Sequence, residues 1–453
     1  MNYKGKIIRR SFIYKILVGL LVSSWLLTGC SGFVLPFLTP QATPVLGVQP
    51  VTPVSPPTTV QPTELVTPTD TTTSGPQVIS MWVPPQFDPE NNTPGGVLLK
   101  NRLKAFEDQN PDVKVQVRVK AVTGPGSLLE TLAAANAAAP LALPSLVALP
   151  RPDVETAALK GLIYPLDKLL ETTIDDPDWF AYARQMALIQ GTTFGLPFAG
   201  DGMLLMYRPA HVNMHSGDWA GILSQGQVVS FPAVDPQALL TLNLYLALGG
   251  SVSDAQGRPA LQPEILAQVL KLYSDGSKQG VFPIWLTQYQ TDGQAWQAYR
   301  EQSSQWLATW ASRYLSELPA DSTAVVLPSL GSNQQTLANG WVWALSDPSP
   351  ERRAIAVRLA EFLVQGDFLA EWTAAVGYLP TRSSALVSWP DQNQRSLLNQ
   401  LVNSAQLRPS NDLMASLGPV LEDATQQVIK QQSDPVLAAQ TAAERLATST
   451  TTR

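Results

Sequence analysis

The sequence predicts an α/β chain whose globular part divides into two lobes, each built from discontinuous pieces. Three observations carry that expectation. Residues 77–160 alternate between short β-branched runs and helical stripes at the spacing of βαβ units. Residues 236–249, 261–274 and 294–317 are mostly helical by period. Strand patterns then return at 323–328 and 340–345. A helical insertion therefore stands between strands of a mainly parallel sheet flanked by helices.

Gln77–Val83 has strand composition and is stopped by Pro84-Pro85. Leu98, Leu99, Leu103 and Phe106 make a helical stripe that Asn110-Pro111 ends. Val113, Val115, Val117 and Val119 alternate with polar residues, as in a half-buried strand. An alanine- and leucine-rich helix over 127–139, a strand over 143–149 and a helix over 154–160 follow. Met203–Tyr207 is a further strand, 350–363 a helix, and 365–447 helical with breaks at Gly377, Pro380, Pro390, Pro409 and Pro435.

Composition narrows the chemistry. The chain of 453 residues is 45% hydrophobic and 15% charged, enough for one or two substantial cores. Lys4, Lys6, Arg9, Arg10 and Lys15 precede Cys30 with no acid among them. The remainder holds 25 basic against 36 acidic residues, a net of -11. That balance argues against a nucleic-acid partner. Two histidines and one cysteine leave little for a zinc or iron centre and nothing for an internal disulfide. Asp88-Pro89-Glu90-Asn91-Asn92 lacks the glycine and distal glutamate of a calcium loop.

The basic head and the short apolar run from Ile16 form an export signal, too short to span a bilayer. Leu27-Thr28-Gly29-Cys30 resembles the lipobox of bacterial lipoproteins, which implies cleavage after residue 29 and lipidation of the Cys30 thiol. Residues 31–76 hold 10 prolines and 11 threonines, the composition of an extended spacer. The expected division is 1–29 signal, 30–76 lipid-anchored linker, 77–199 plus 320–364 lobe one, and 200–319 plus 365–447 lobe two.

Order and spacing of several short marks resemble the extracytoplasmic solute-binding proteins of bacterial ABC importers, the maltose-binding-protein-like family. The marks are Phe106-Glu107 and Asn110-Pro111; Leu166-Asp167; Gly195-Leu196-Pro197-Phe198 leading to Leu205-Met206-Tyr207; Leu248-Gly249-Gly250 with Asp254-Ala255-Gln256-Gly257; Val325-Val326-Leu327-Pro328; Gly340-Trp341; and Gly377 through Arg382. The chain departs from the family at Trp296–Trp310 and in the two tryptophans after Gly340. The resemblance implies a two-lobed periplasmic-binding-protein-like fold joined by a multi-crossing hinge, with a solute in the interlobe cleft.

Eleven tryptophans remain once Trp25 is removed with the signal. Flat aromatic faces suit the C–H patches of saccharides, and planar polar groups suit their hydroxyls. Trp82, at the carboxyl end of the first strand, lies where open parallel sheets bind ligands. Trp341 and Trp343 share one strand face, and the resemblance turns that strand toward the cleft. It also places Asp201 in the first crossing and Tyr378 and Arg382 in a cleft loop. Trp285 is a candidate platform in the second lobe. Trp306 and Trp310, four apart, read as a helical core stripe.

The expected function is the solute-binding component of an ABC import system, a non-enzyme without cofactor or metal. It would bind a neutral mono- or oligosaccharide and act as a monomer on the extracytoplasmic face, lipid-anchored through Cys30, beside its permease. The alternatives are a cell-surface sensor, a binder of a non-sugar solute, and a surface glycosidase with two carboxylates about 5–9 Å apart.

Overall fold

The computed structural model describes residues 75–214, 217–331 and 334–451. The signal over 1–29, Cys30 and the linker up to residue 74 lie outside the described residues. Among those described, no helix is long and apolar enough to cross a membrane.

Strands β1 (Gln77–Val83), β2 (Val113–Val119) and β3 (Leu146–Pro150) form the parallel part of the first sheet, with β1 in the middle. Gln77 pairs with Val113 and Val83 with Val119, so the register holds over the whole strand. Leu146, Val147, Ala148 and Leu149 are all fully buried, as expected of a strand covered on both faces. The helix Pro94–Gln109 is capped by Thr93, whose hydroxyl accepts the Gly96 N–H at 3.1 Å, and Pro94 opens it. It buries Leu99, Leu103 and Phe106 on one stripe. A small hairpin, β4 (Leu188–Ile189) and β5 (Thr192–Thr193), turns at Gln190 and Gly191, both at positive φ.

Strand β6 (Leu196–Tyr207) runs through both sheets. Its first half pairs antiparallel with β10 (Thr336–Leu345), which also pairs with β3 and, in parallel, with β11 (Ala405–Leu407). Its second half pairs antiparallel with β8 (Trp306–Trp310) and β9 (Thr323–Val326); β8 continues in parallel to the two-residue β7 (Val229–Ser230). The result is the expected two-lobed α/β architecture. Apart from the β4–β5 hairpin, every antiparallel strand pairing among the described residues involves β6 or β10.

Two hydrophobic cores accompany the sheets. One gathers β1, β3 and the first half of β6 with Leu99, Phe106, Tyr182, Val357 and Leu363. The other gathers Trp219, Phe231, Tyr245, Tyr273, Phe282, Leu417 and Leu421 around Leu205 and Trp306.

Two expectations are corrected. The helical stretch 294–317 is a helix over Asp292–Arg300, the strand β8, and a second helix over Ala311–Glu317. Gln302 at positive φ ends the first helix, and the run from Trp306 to Trp310 then pairs with Met203–Tyr207. Residues 366–405, expected with the second lobe, carry Leu369, Trp372, Leu386, Trp389 and Leu401 into the first core. There the Trp372 indole N–H donates to the Gly95 carbonyl at 3.1 Å. Residues from Met414 onward pack in the second core.

Candidate functional site

Trp310, at the end of β8, borders three adjoining cavities. The first, of 320 Å³, is floored by Asp201, Asn339 and Trp341 and walled by Gln237, Tyr378 and Arg408. The second, of 360 Å³, adds Gln86, Ser312 and Arg313. The third, of 150 Å³, reaches between Phe231, Leu240 and Gln290. Each of the two larger ones matches the lower end of the roughly 300–1,000 Å³ range of small-molecule sites.

Local structure explains why these side chains meet. Gly200 and Gly340 face each other across β6 and β10. A Cβ on Gly200 would lie 2.1 Å from the Tyr182 hydroxyl oxygen, and one on Gly340 would lie 2.6 Å from Met186 Sδ. Only glycine lets the helix Ala181–Ala187 pack this closely. Strand alternation then turns Asp201, Asn339 and Trp341 to the opposite face, the floor of the cleft. The register shifts between Trp341 and Val342, where Pro197 and Ala199 are both used and Phe198 is the extra residue. Such bulges re-aim side chains beside sites.

The carboxylate of Asp201 is already engaged. Its Oδ1 accepts the N–H groups of Gly202 (3.0 Å) and Ser312 (2.9 Å), and its Oδ2 accepts the Ser312 hydroxyl (2.5 Å). Asp201 thereby caps the helix Ala311–Glu317, whose own preceding residue Trp310 offers no cap. Burial pushes the Asp201 carboxyl up to about 7 against the pull of these hydrogen bonds, and the Asp292 charge adds to the rise. Burial also raises the Tyr378 phenol to about 12, with the Asp201 charge, against hydrogen bonds involving Trp341 and Gln86. Asp292 is held by Arg313 (Nη2 at 3.0 Å, Nε at 3.1 Å) and by the Thr309 hydroxyl. Of the three carboxylates that line these cavities, Asp201 and Asp292 thus anchor their own chain, and Asp235 does likewise by accepting the N–H groups of Gln237 (3.0 Å) and Leu239 (3.1 Å).

Of the residues singled out in the sequence, Asp201, Trp341 and Tyr378 come together here. Trp343 shares the Trp341 face but stacks on Phe198 at 4.1 Å and is 1% exposed. Trp82 is buried between Arg118 and Val147 on the flanking strands, with the Lys120 ammonium 5.1 Å from its ring. The cleft is reached instead by Gln86, four residues further on. Trp285 packs beside Tyr289 on the second core. Arg382 pairs with Asp178 at 3.1 Å, stacks on Trp179 at 3.8 Å and lines a separate surface cavity with Glu171 and Glu361. None of these four lines the three cavities.

Sequence reasoning missed Trp310, Asn339, Arg408 and Gln86. The i, i+4 spacing of Trp306 and Trp310 fits one face of a helix and one face of a strand equally well. Asn339 had the signal of its neighbours Gly340-Trp341. Nothing local marked Arg408, which arrives by a chain crossing 69 residues after Asn339. Among the described residues no group of His, Cys, Asp and Glu could hold a metal ion.

The family model described as bacterial extracellular solute-binding protein matches residues 101–394, more than half of the chain. No curated protein matches it by sequence. Among solved structures, the sugar-binding protein MalE from Xanthomonas citri is similar at 18% identity and a TM-score of 0.68, covering 82% of this chain and 98% of that one. The cyclic α-maltosyl-1,6-maltose binding protein from Arthrobacter globiformis is similar at 15% identity and TM-score 0.66, covering 82% and 98%. Maltose-bound MalE3 of T. maritima is similar at 17% identity and TM-score 0.63, covering 82% and 99%. These likenesses concern the fold. The chain belongs to the family of bacterial extracellular solute-binding proteins.

Proposed function

We propose that the protein captures a neutral mono- or oligosaccharide in the cleft around Trp310 and delivers it to the membrane permease of an ABC importer. The observation that carries this reading is the lining of the cleft. Trp310, Trp341 and Tyr378 supply aromatic faces, while Asp201, Asn339, Gln237 and Arg408 supply hydroxyl partners. The solved relatives named for maltose and a cyclic maltosyl saccharide support the same solute class.

The two cores act as two lobes, and the solute bridges them. The long strand β6, with Gly200 and Gly202 at its middle, is where the backbone bends on closure, and ligand binding shifts the population toward the closed form. The Cys30 lipid and the proline-rich linker keep the body near the permease. One acyl chain gives only marginal retention, so the anchor carries more than one.

Calorimetric titration with glucose, maltose, maltotriose, cellobiose and raffinose, set against leucine, glutamate and spermidine, tests the solute class. At least one saccharide binds saturably on this reading. Binding of an amino acid or polyamine with no response to any saccharide would overturn it.

A further inference from the structure

We propose that Arg408, Asn339 and Asp201 form a polar row across β11, β10 and β6 that reads the hydroxyl edge of the bound solute. The inference rests on the saccharide reading above and specifies how that solute is held. Asn339 pairs directly with Asp201. On its other side Ala338 pairs with Leu407, and the Arg408 N–H donates to the Ala338 carbonyl at 3.1 Å. Neighbouring strands lie about 4.8 Å apart, so the three groups sit along a line of roughly 10 Å. All three border the same 320 Å³ cavity as Trp341.

Each member has bonding capacity that the protein itself leaves unused. Asn339 Oδ1 has no hydrogen-bond partner among the described residues, and the side chain lines the cavity. Arg408 is 9% exposed, and its guanidinium donates to two neutral side chains, Gln237 Oε1 at 3.2 Å and Asn411 Oδ1. The charges of Glu155 and Asp153 act on it, opposed by Arg151. Five guanidinium N–H groups exceed those two acceptors. Asp201 has three of its roughly four lone-pair sites filled.

The row therefore offers donors at the Arg408 end, an adaptable amide in the middle and an acceptor at the Asp201 end. A hydroxyl gives and takes one hydrogen bond, so successive hydroxyls along a sugar edge match the sequence of partners. A solute lacking one of the hydroxyls leaves a buried polar group unpaired and is rejected.

The test uses the tightest-binding member of the saccharide panel, its monodeoxy analogues and the variant Asn339→Leu. Because Oδ1 holds no internal bond, Asn339→Leu melts at or above the wild-type temperature. Its Kd rises roughly tenfold to a hundredfold. At least one monodeoxy analogue loses affinity for the wild type by a similar factor and loses little more in the variant. If Asn339→Leu and every deoxy analogue bind within twofold while Trp310→Ala loses binding, the row is wrong and the saccharide reading stands. If no saccharide of the panel binds the wild type, the saccharide reading fails and the row fails with it.

Discussion

Two tryptophans on one strand have different fates. Trp343, near the end of β10, stacks on Phe198 and belongs to an aromatic group with Phe87 and Trp372 that closes the first core. Trp341, two residues earlier on the same face, meets Phe87 edge-on at 5.3 Å, and its far side borders the cleft. Strand alternation makes the two equivalent. What separates them is the second sheet, which begins where β6 leaves β10, so that the cavity opens over Trp341 and not over Trp343. Position along the strand, more than residue type, decides between core and site.

The largest expected effect follows from that contrast. Trp343→Ala should cost about 3–5 kcal/mol of stability, as large-to-small changes of buried aromatics do. Chemical denaturation would measure it; a loss below about 1 kcal/mol would mean that Trp343 is not core. Trp310→Ala, at a part-buried position, should lose less stability but weaken saccharide binding at least about tenfold, since it removes the platform shared by three cavities. Equal binding by this variant would move the site away from β8.

How much of this was legible in the sequence depends on range. The parallel β1–β2–β3 unit, its helices and the later strands are local patterns, and the apolar spacing at Leu99, Leu103 and Phe106 is readable without a structure. Asp201, Trp341 and Tyr378 were reached through the marks around them. The long β6 was seen only in its second half, because Leu196–Gly202 contains a proline and two glycines that weaken any strand pattern. Trp82 looked like a site residue because the carboxyl ends of parallel strands bind ligands. Its strand lies inside the sheet, however, and only the following turn reaches the cleft. Arg408 depends on a crossing from β11 that no local period encodes.

The pH dependence separates the hinge carboxylate from ordinary surface acids. The folded-state value of Asp201, about 7, lies above that of an ordinary carboxylate, so the neutral form fits the fold better. Its contribution to stability is complete below about pH 4 and is lost as the pH rises towards 7. Asp201→Asn should therefore gain on the wild type in melts as the pH is raised through that window, then run parallel above about pH 8. A difference that does not change with pH would place the Asp201 carboxyl in a solvated setting. The smallest effects belong to residues outside the cleft. Trp285→Ala and Arg382→Ala should bind saccharide within about twofold of wild type. Arg382→Ala should lose about 1 kcal/mol of stability with the Asp178 pair. Lost affinity in either would redraw the cleft.

The central claim is that the solute lies against Trp310 and Tyr378 in the cleft, and hydroxyl-radical footprinting with and without the tightest saccharide tests it most directly. The account predicts that oxidation of Trp310 and Tyr378 falls on saturation while oxidation of Trp285 does not change. Protection of Trp285 with no change at Trp310 and Tyr378 would contradict it.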